Sequence, residues 1–138
     1  MKIVKINTAN APQPGGWYSQ AFVVGNMVYT AGVTAHDPKT QKLVAPGDIV
    51  LQTRQVLINL EQILLAAGTD LKHVIKTLVF VSNIDEFPVF NEEYKKFFPI
   101  DPPARSTMQV GKFLNGMVVE IEAVAVIPEE CKESLERT

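Results

Sequence analysis

The chain has 138 residues, is 46% hydrophobic by composition and carries a formal net charge of −2. That is enough chain for one domain with its own core, and its composition is that of a globular protein. No Lys/Arg cluster supplies the electrostatic footprint of a nucleic-acid binder, and no apolar run approaches the length of a membrane span.

Lys2 to Ile6 alternates charged and apolar residues, as an edge strand does. The same stretch lacks the apolar centre of a signal peptide, so a cytoplasmic protein is expected. Asn10 to Gly16 is a loop by composition. Two strands follow, Tyr18 to Val24 and Met27 to Gly32, joined by a Gly25-Asn26 turn. Trp17 is expected to cover the end of the sheet, with a pocket wall as the alternative. His36-Asp37-Pro38 is a turn, and His36 is taken as a loop residue because neighbours in a turn seldom aim at one point. His73 is taken as an ordinary strand-start residue.

Asp48 is a natural N-cap for a long helix that Gly68 ends. Ile49, Thr53, Val56, Leu60, Ile63 and Ala67 mark its core face. His73 to Ser82 is a strand apolar on both faces, Val74/Leu78/Phe80 and Ile75/Val79/Val81. Asp85 is expected to cap a second helix that tolerates Pro88 in its first turn and packs Phe87, Phe90, Tyr94 and Phe97 inward. Asn91 shares a face with Phe87 and Tyr94, either as a satisfied core amide or as a pocket residue.

Two alternating runs close the pattern, Pro102 to Val110 and Val118 to Val126. Arg105, Thr107 and Gln109 share one face of the first. Glu120 and Glu122 share a face of the second, opposite the wholly apolar Val119, Ile121, Ala123 and Ala125. Paired as a hairpin through Gly111–Gly116, the strands would gather Arg105, Thr107, Glu120 and Glu122 on one side of the sheet. Two readings fit that cluster: a salt bridge on a solvent face, or a site that holds a carboxylate through Arg105 and sets a water beside a glutamate. Residues 1–127 then form a single domain and residues 128–138 a polar tail. Cys131, the only cysteine, lies in that tail, which excludes an intramolecular disulfide and argues against a Cys/His metal site.

The element order β-β-β-α-β-α-β-β predicts an α+β fold, a mixed sheet backed by two helices on one face. The second face keeps apolar residues, assigned to Ile75, Val79, Val81, Val118, Val124 and Val126. Such a surface calls for a partner, most simply another copy in closed symmetry.

The chain resembles the RidA (YjgF) family of reactive-intermediate imine deaminases over about residues 10–127. The likeness is carried by Tyr18-Ser19-Gln20-Ala21, Gly25-Asn26, Gly32 with Asp37-Pro38, Gln52-Thr53 with Asn59-Leu60, and Ala67-Gly68. Val74 with Lys76-Thr77, Phe87 with Asn91 and Tyr94, Pro103-Ala104-Arg105-Ser106 and Glu120-Ile121-Glu122-Ala123 complete it. The resemblance implies a chorismate-mutase-like fold assembled as a homotrimer, its sheets lining a central barrel and its sites lying between subunits. It implies that Arg105 holds a substrate carboxylate and that Glu120 activates water for attack on an imine carbon. Tyr18, Ala31, Gly32, Asn91 and Thr107 would line the pocket, and Glu122 would serve structure. The implied reaction converts 2-imino acids such as 2-iminobutanoate and 2-iminopropanoate to 2-keto acids and ammonia, with no metal or organic cofactor. A trimeric carboxylate-binding module without turnover is the alternative, and a ribonuclease or translation inhibitor is a third reading that the charge disfavours. Ala31, Val33 and Thr107 stand where many members have serine, glutamine and cysteine, which makes this wall less polar.

Overall fold

The computed structural model describes residues 1–129, so Cys131 and most of the expected tail lie outside the described residues. The strands are β1 (Ile3–Ile6), β2 (Ala21–Val24), β3 (Met27–Thr30), β4 (Val74–Val81), β5 (Ala104–Gln109) and β6 (Val119–Val126), and the helices are α1 (Ile49–Ala67) and α2 (Phe87–Lys95). The strands form one sheet in the order β1-β2-β3-β6-β4-β5. All neighbours are antiparallel except β4 and β5, which are parallel. This is the α+β mixed sheet that the pattern predicts.

The helix signals act as expected at α1. The Asp48 carboxylate accepts from Leu51 N–H at 2.9 Å, and Gly68 closes the helix at φ 95°. Ile49, Thr53, Val56, Leu60, Ile63 and Ala67 are all buried. The second helix starts differently. Asn83, not Asp85, caps a 3-10 turn over Ile84–Glu86, and α2 follows from Phe87 with Pro88 in its first turn. Phe90 and Tyr94 are buried, while Phe87 and Phe97 pack against the core partly exposed.

The expected hairpin does not form. β6 lies between β3 and β4, and β5 lies beyond β4 at the sheet edge. The composition of the strands gives the reason. Val119, Ile121, Ala123 and Ala125 are buried to 3% exposure or less, which suits β6 to the centre. β5 presents Arg105, Ser106, Thr107 and Gln109, and a polar strand is tolerated at an edge. The passage from β4 through α2 also makes β5 parallel to β4, as a helical crossover requires.

A bulge between Val74 and Lys76 corrects the assignment of the faces of β4. It turns Val74 to the same side as Thr77, Val79 and Val81, all of them buried under the helices. Val118 is likewise buried. Leu78 and Phe80 occupy the opposite face, beside Val124 and Val126 of β6, Tyr29 of β3 and Phe22 of β2. The uncovered apolar face is therefore present, built largely from other residues than the alternation indicates. Tyr29 remains 48% and Phe22 40% exposed on it. Trp17 covers nothing within the chain, being fully exposed.

Candidate functional site

Arg105 lies on the helix-facing side of β5, paired in register with the buried Thr77 of β4. Its guanidinium donates through Nη2 to Asn91 Oδ1 at 3.0 Å. It also lies over three rings of α2, with centroids at 5.3 Å for Phe87, 5.6 Å for Phe90 and 4.6 Å for Tyr94. Aromatic faces attract a cation and fix its plane. Tyr94 is itself held, its hydroxyl 2.8 Å from Thr77 Oγ1. Burial pushes the Tyr94 phenol up, against the Thr77 hydrogen bond and the nearby Arg105 charge. Asn91 is half-buried and lines, with Arg105, Tyr94 and Pro103, a cavity of about 490 Å³. Thr107 sits two residues along the same face, opposite Val79, and is half-buried. Glu93 keeps α2 on α1: its buried carboxylate accepts from Arg54 Nε and Lys96 Nζ, each at 2.8 Å.

Glu120 occupies the other face. It pairs with Phe80 of β4, opposite the buried Val79 and Val81. Burial and the neighbouring Glu122 raise its carboxyl above the usual range. Glu122 forms no ion pair among the described residues, so its expected structural pairing is not seen within one chain. The carboxylate of Glu120 lies directly on Gly32. A Cβ at that position would stand 2.5 Å from Oε2 and 2.7 Å from Cδ. Local chemistry at the end of β3 creates this approach. Thr30 Oγ1 accepts from Ala123 N–H at 3.0 Å and donates to Ala31 O at 2.8 Å, interrupting the ladder. Backbone pairing resumes at Val33 and Ile121, and the register slips between the two points, bringing Ala31 and Gly32 beside Glu120.

Tyr18 completes this half. Its hydroxyl accepts from Gly15 N–H at 3.1 Å. Tyr18 and Glu120 line a cleft of about 510 Å³ together with Pro12, Thr34, His36 and Met117. Ala31 and Gly32 line a small adjoining space of about 30 Å³ against Tyr18.

Three buried carboxamides hold the loops of this cleft, and sequence reasoning gave them no such role. Gln20 accepts from Thr8 N–H and donates to Thr8 O and Pro12 O. Gln52 donates to Ala45 O and Gly116 O and accepts from Val118 N–H. Asn59 donates to Thr34 O and His36 O. The signal was present in the sequence: Gln52 and Asn59 are polar residues within the apolar stripe of α1.

The expected residues therefore fall into two groups. Arg105 and Thr107 stand on the helix-facing side of β5, with Arg105 against Asn91 of α2. Glu120 stands on the uncovered face against Gly32, with Ala31 and Tyr18 lining the spaces beside it. β4 lies between the strands that carry Arg105 and Glu120. Within one chain Arg105 and Glu120 do not meet, which corrects the hairpin cluster.

Comparison with known proteins agrees with this architecture. The sequence profile of the family described as Endoribonuclease L-PSP matches residues 8–127. A RutC family protein of Pyrococcus horikoshii is 45% identical over 120 residues, covering 87% of this chain and 94% of its own. A 2-iminobutanoate/2-iminopropanoate deaminase of Rattus norvegicus is 42% identical over 121 residues, covering 88% of each chain. The crystal structure of E. coli TdcF with bound serine superposes with a TM-score of 0.83 at 36% identity, covering 89% of this chain and 98% of its own. The chain belongs to this Endoribonuclease L-PSP family, the RidA (YjgF) family whose motifs it carries.

Proposed function

We propose that the protein is a 2-iminobutanoate/2-iminopropanoate deaminase that works as a homotrimer, with Arg105 of one subunit facing Glu120 of the next. The observation that carries this reading is the division of the site into two incomplete halves. Arg105 forms a preorganised anion receptor that, among the described residues, has no carboxylate paired with it. Among the described residues Glu120 forms a base with no ion pair, next to a sheet face whose apolar side chains are uncovered. Association of copies through that face would remove it from water and close one half on the other. The deaminase relative and the serine-bound relative, which holds a small amino acid, support the same ligand class.

In this mechanism the substrate carboxylate takes two parallel hydrogen bonds from the Arg105 guanidinium, a geometry that lysine cannot supply. Glu120 accepts a proton from water as the oxygen adds to the imine carbon, giving a carbinolamine. That proton passes to the nitrogen. The carbinolamine hydroxyl then gives its own proton through Glu120 to the same nitrogen as the C–N bond breaks and the carbonyl forms, and 2-keto acid and ammonia leave. A carboxylate held above its usual basicity suits the proton-accepting step. The family description carries the word endoribonuclease, but a net charge of −2 without a basic stripe argues against RNA as the ligand.

A coupled assay tests the reading. A pyridoxal-phosphate-dependent dehydratase supplies 2-aminocrotonate, and keto acid release is timed with and without this protein. Acceleration is expected, and light scattering should give three chain masses. Saturable binding of 2-oxobutanoate without acceleration would favour the carboxylate-binding module, and a monomer mass would remove the shared site.

A further inference from the structure

The cleft that contains Glu120 measures about 510 Å³ in a single chain. The polar side chains on its flank are mostly engaged. Gln41 accepts from Gln13 N–H through Oε1 at 3.1 Å and donates through Nε2 to Pro38 O at 2.7 Å. Gln13 Nε2 donates to Thr8 O at 3.0 Å. His36 differs. Its Nδ1 lies 2.7 Å from Thr34 Oγ1, and Asn59 fixes the backbone carbonyls of both residues. Among the described residues its Nε2 has no partner. Of the two tautomers that this contact allows, the one in which the Thr34 hydroxyl donates to Nδ1 puts the ring hydrogen on Nε2 and makes the imidazole an oriented, half-buried donor in the same cleft as the proposed base.

We propose that His36 is a specificity-determining residue. Its Nε2–H selects 2-imino acids whose side chain ends in a hydrogen-bond-accepting oxygen, a carboxylate or a carboxamide. This rests on the imine-deaminase reading above, to which it adds the substrate side chain. A half-buried donor without a protein acceptor favours a ligand that brings one, and an apolar ligand of the same shape would leave it unpaired.

Calorimetric titration of the full-length assembled protein with 2-keto acid products tests this without relying on turnover. The probes are 2-oxobutanoate, 2-oxoglutarate, its 5-amide, and 5-methyl-2-oxohexanoate, which replaces the terminal oxygens by methyl groups. At least one of the two oxygen-bearing ligands should bind about tenfold more tightly than the methyl analogue, the worth of about one net hydrogen bond. His36→Ala should bring the oxygen-bearing ligands and the methyl analogue to within about twofold of each other. His36→Gln keeps an N–H donor and should restore part of the preference, which a merely structural role would not do. It also carries the comparison if the alanine variant fails to assemble. Equal binding of oxygen-bearing and methyl ligands by the wild type, or an unchanged preference in His36→Ala, would overturn the proposal. Binding of 2-oxobutanoate alone would overturn it while leaving the deaminase reading intact, and binding of none would overturn both.

Discussion

Asn59 should control the cleft without touching a ligand. Its side chain is fully buried, with Nδ2 donating to Thr34 O at 2.9 Å and His36 O at 2.8 Å and Oδ1 accepting from Gln55 Nε2 at 2.9 Å. Asn59→Ala strips both carbonyls of that donor. A buried group left unpaired costs about 1–3 kcal/mol. Thr34 and His36 are only half-buried, so water reaches them in part and the low end applies to each. The expected loss is about 2–3 kcal/mol, or roughly 6–12 °C in melting temperature for a domain of this size. Asn59→Asp preserves shape but sets a carboxylate oxygen against two carbonyl oxygens, so at neutral pH it should cost more than alanine. The introduced carboxyl would have its folded pKa raised above the unfolded value of about 3.9. Its ionisation is therefore disfavoured by folding. The penalty is smallest below the unfolded value and grows as pH rises through the folded one. Urea unfolding at fixed protein concentration, at pH 4.5 and 7.5, measures both effects. If Asn59→Asp matched wild type, or matched Asn59→Ala at both pH values, the two donated bonds would not be what holds this loop.

Three further outcomes follow from the two halves of the site. Arg105→Ala should abolish saturable binding of 2-oxobutanoate in calorimetry, and Arg105→Lys should rescue little of it, since an ammonium cannot span both carboxylate oxygens. Glu120→Gln should spare that binding, slow imine hydrolysis by roughly 10²–10⁴-fold in the coupled assay, and raise the melting temperature at neutral pH. The sign of that last effect follows from the raised carboxyl of Glu120: ionisation is disfavoured by folding, so stability is lost as pH rises through the folded value. Gly32→Ala would force the Glu120 carboxylate off its present position, because the new Cβ would stand within 3.0 Å of three of its atoms; turnover should fall while a urea melt moves by about 1 kcal/mol or less.

The α1 helix was legible because its signals are local: an Asp cap, a periodic stripe and a terminal glycine lie within one stretch of chain. The alternation of β6 likewise identified one wholly apolar face, and that face is buried. Strand neighbours were not legible, because alternation fixes which residues share a face but not which strand lies alongside. Arg105 and Glu120 therefore looked adjacent across a loop, whereas β5 reached the sheet through α2 and took the edge. The bulge beside Ile75 was equally hidden, since a single inserted residue exchanges the faces of everything before it and leaves no mark in a run of apolar residues. Asn91 could be placed on the correct helix face by spacing alone, but its role required the position of Arg105. The residues named by family likeness fell into two spatial groups, a division that motifs read along a line do not reveal.

That division has a chemical use on the proposed reading. An arginine and a glutamate side by side in one chain would pair with each other. The guanidinium would be occupied, and the carboxylate would become less basic, since a nearby cation favours its charged form. Here Arg105 instead meets aromatic faces and a neutral amide, which orient it, and among the described residues no carboxylate pairs with it. Glu120 has a carboxylate, Glu122, as its charged neighbour and a bare glycine backbone beneath it, so its basicity is raised rather than lowered. Association of subunits would then bring the two groups to opposite sides of a bound molecule rather than into contact. The substrate's own carboxylate would occupy Arg105, and the imine carbon would be presented to a water held by a base that no protein cation has neutralised.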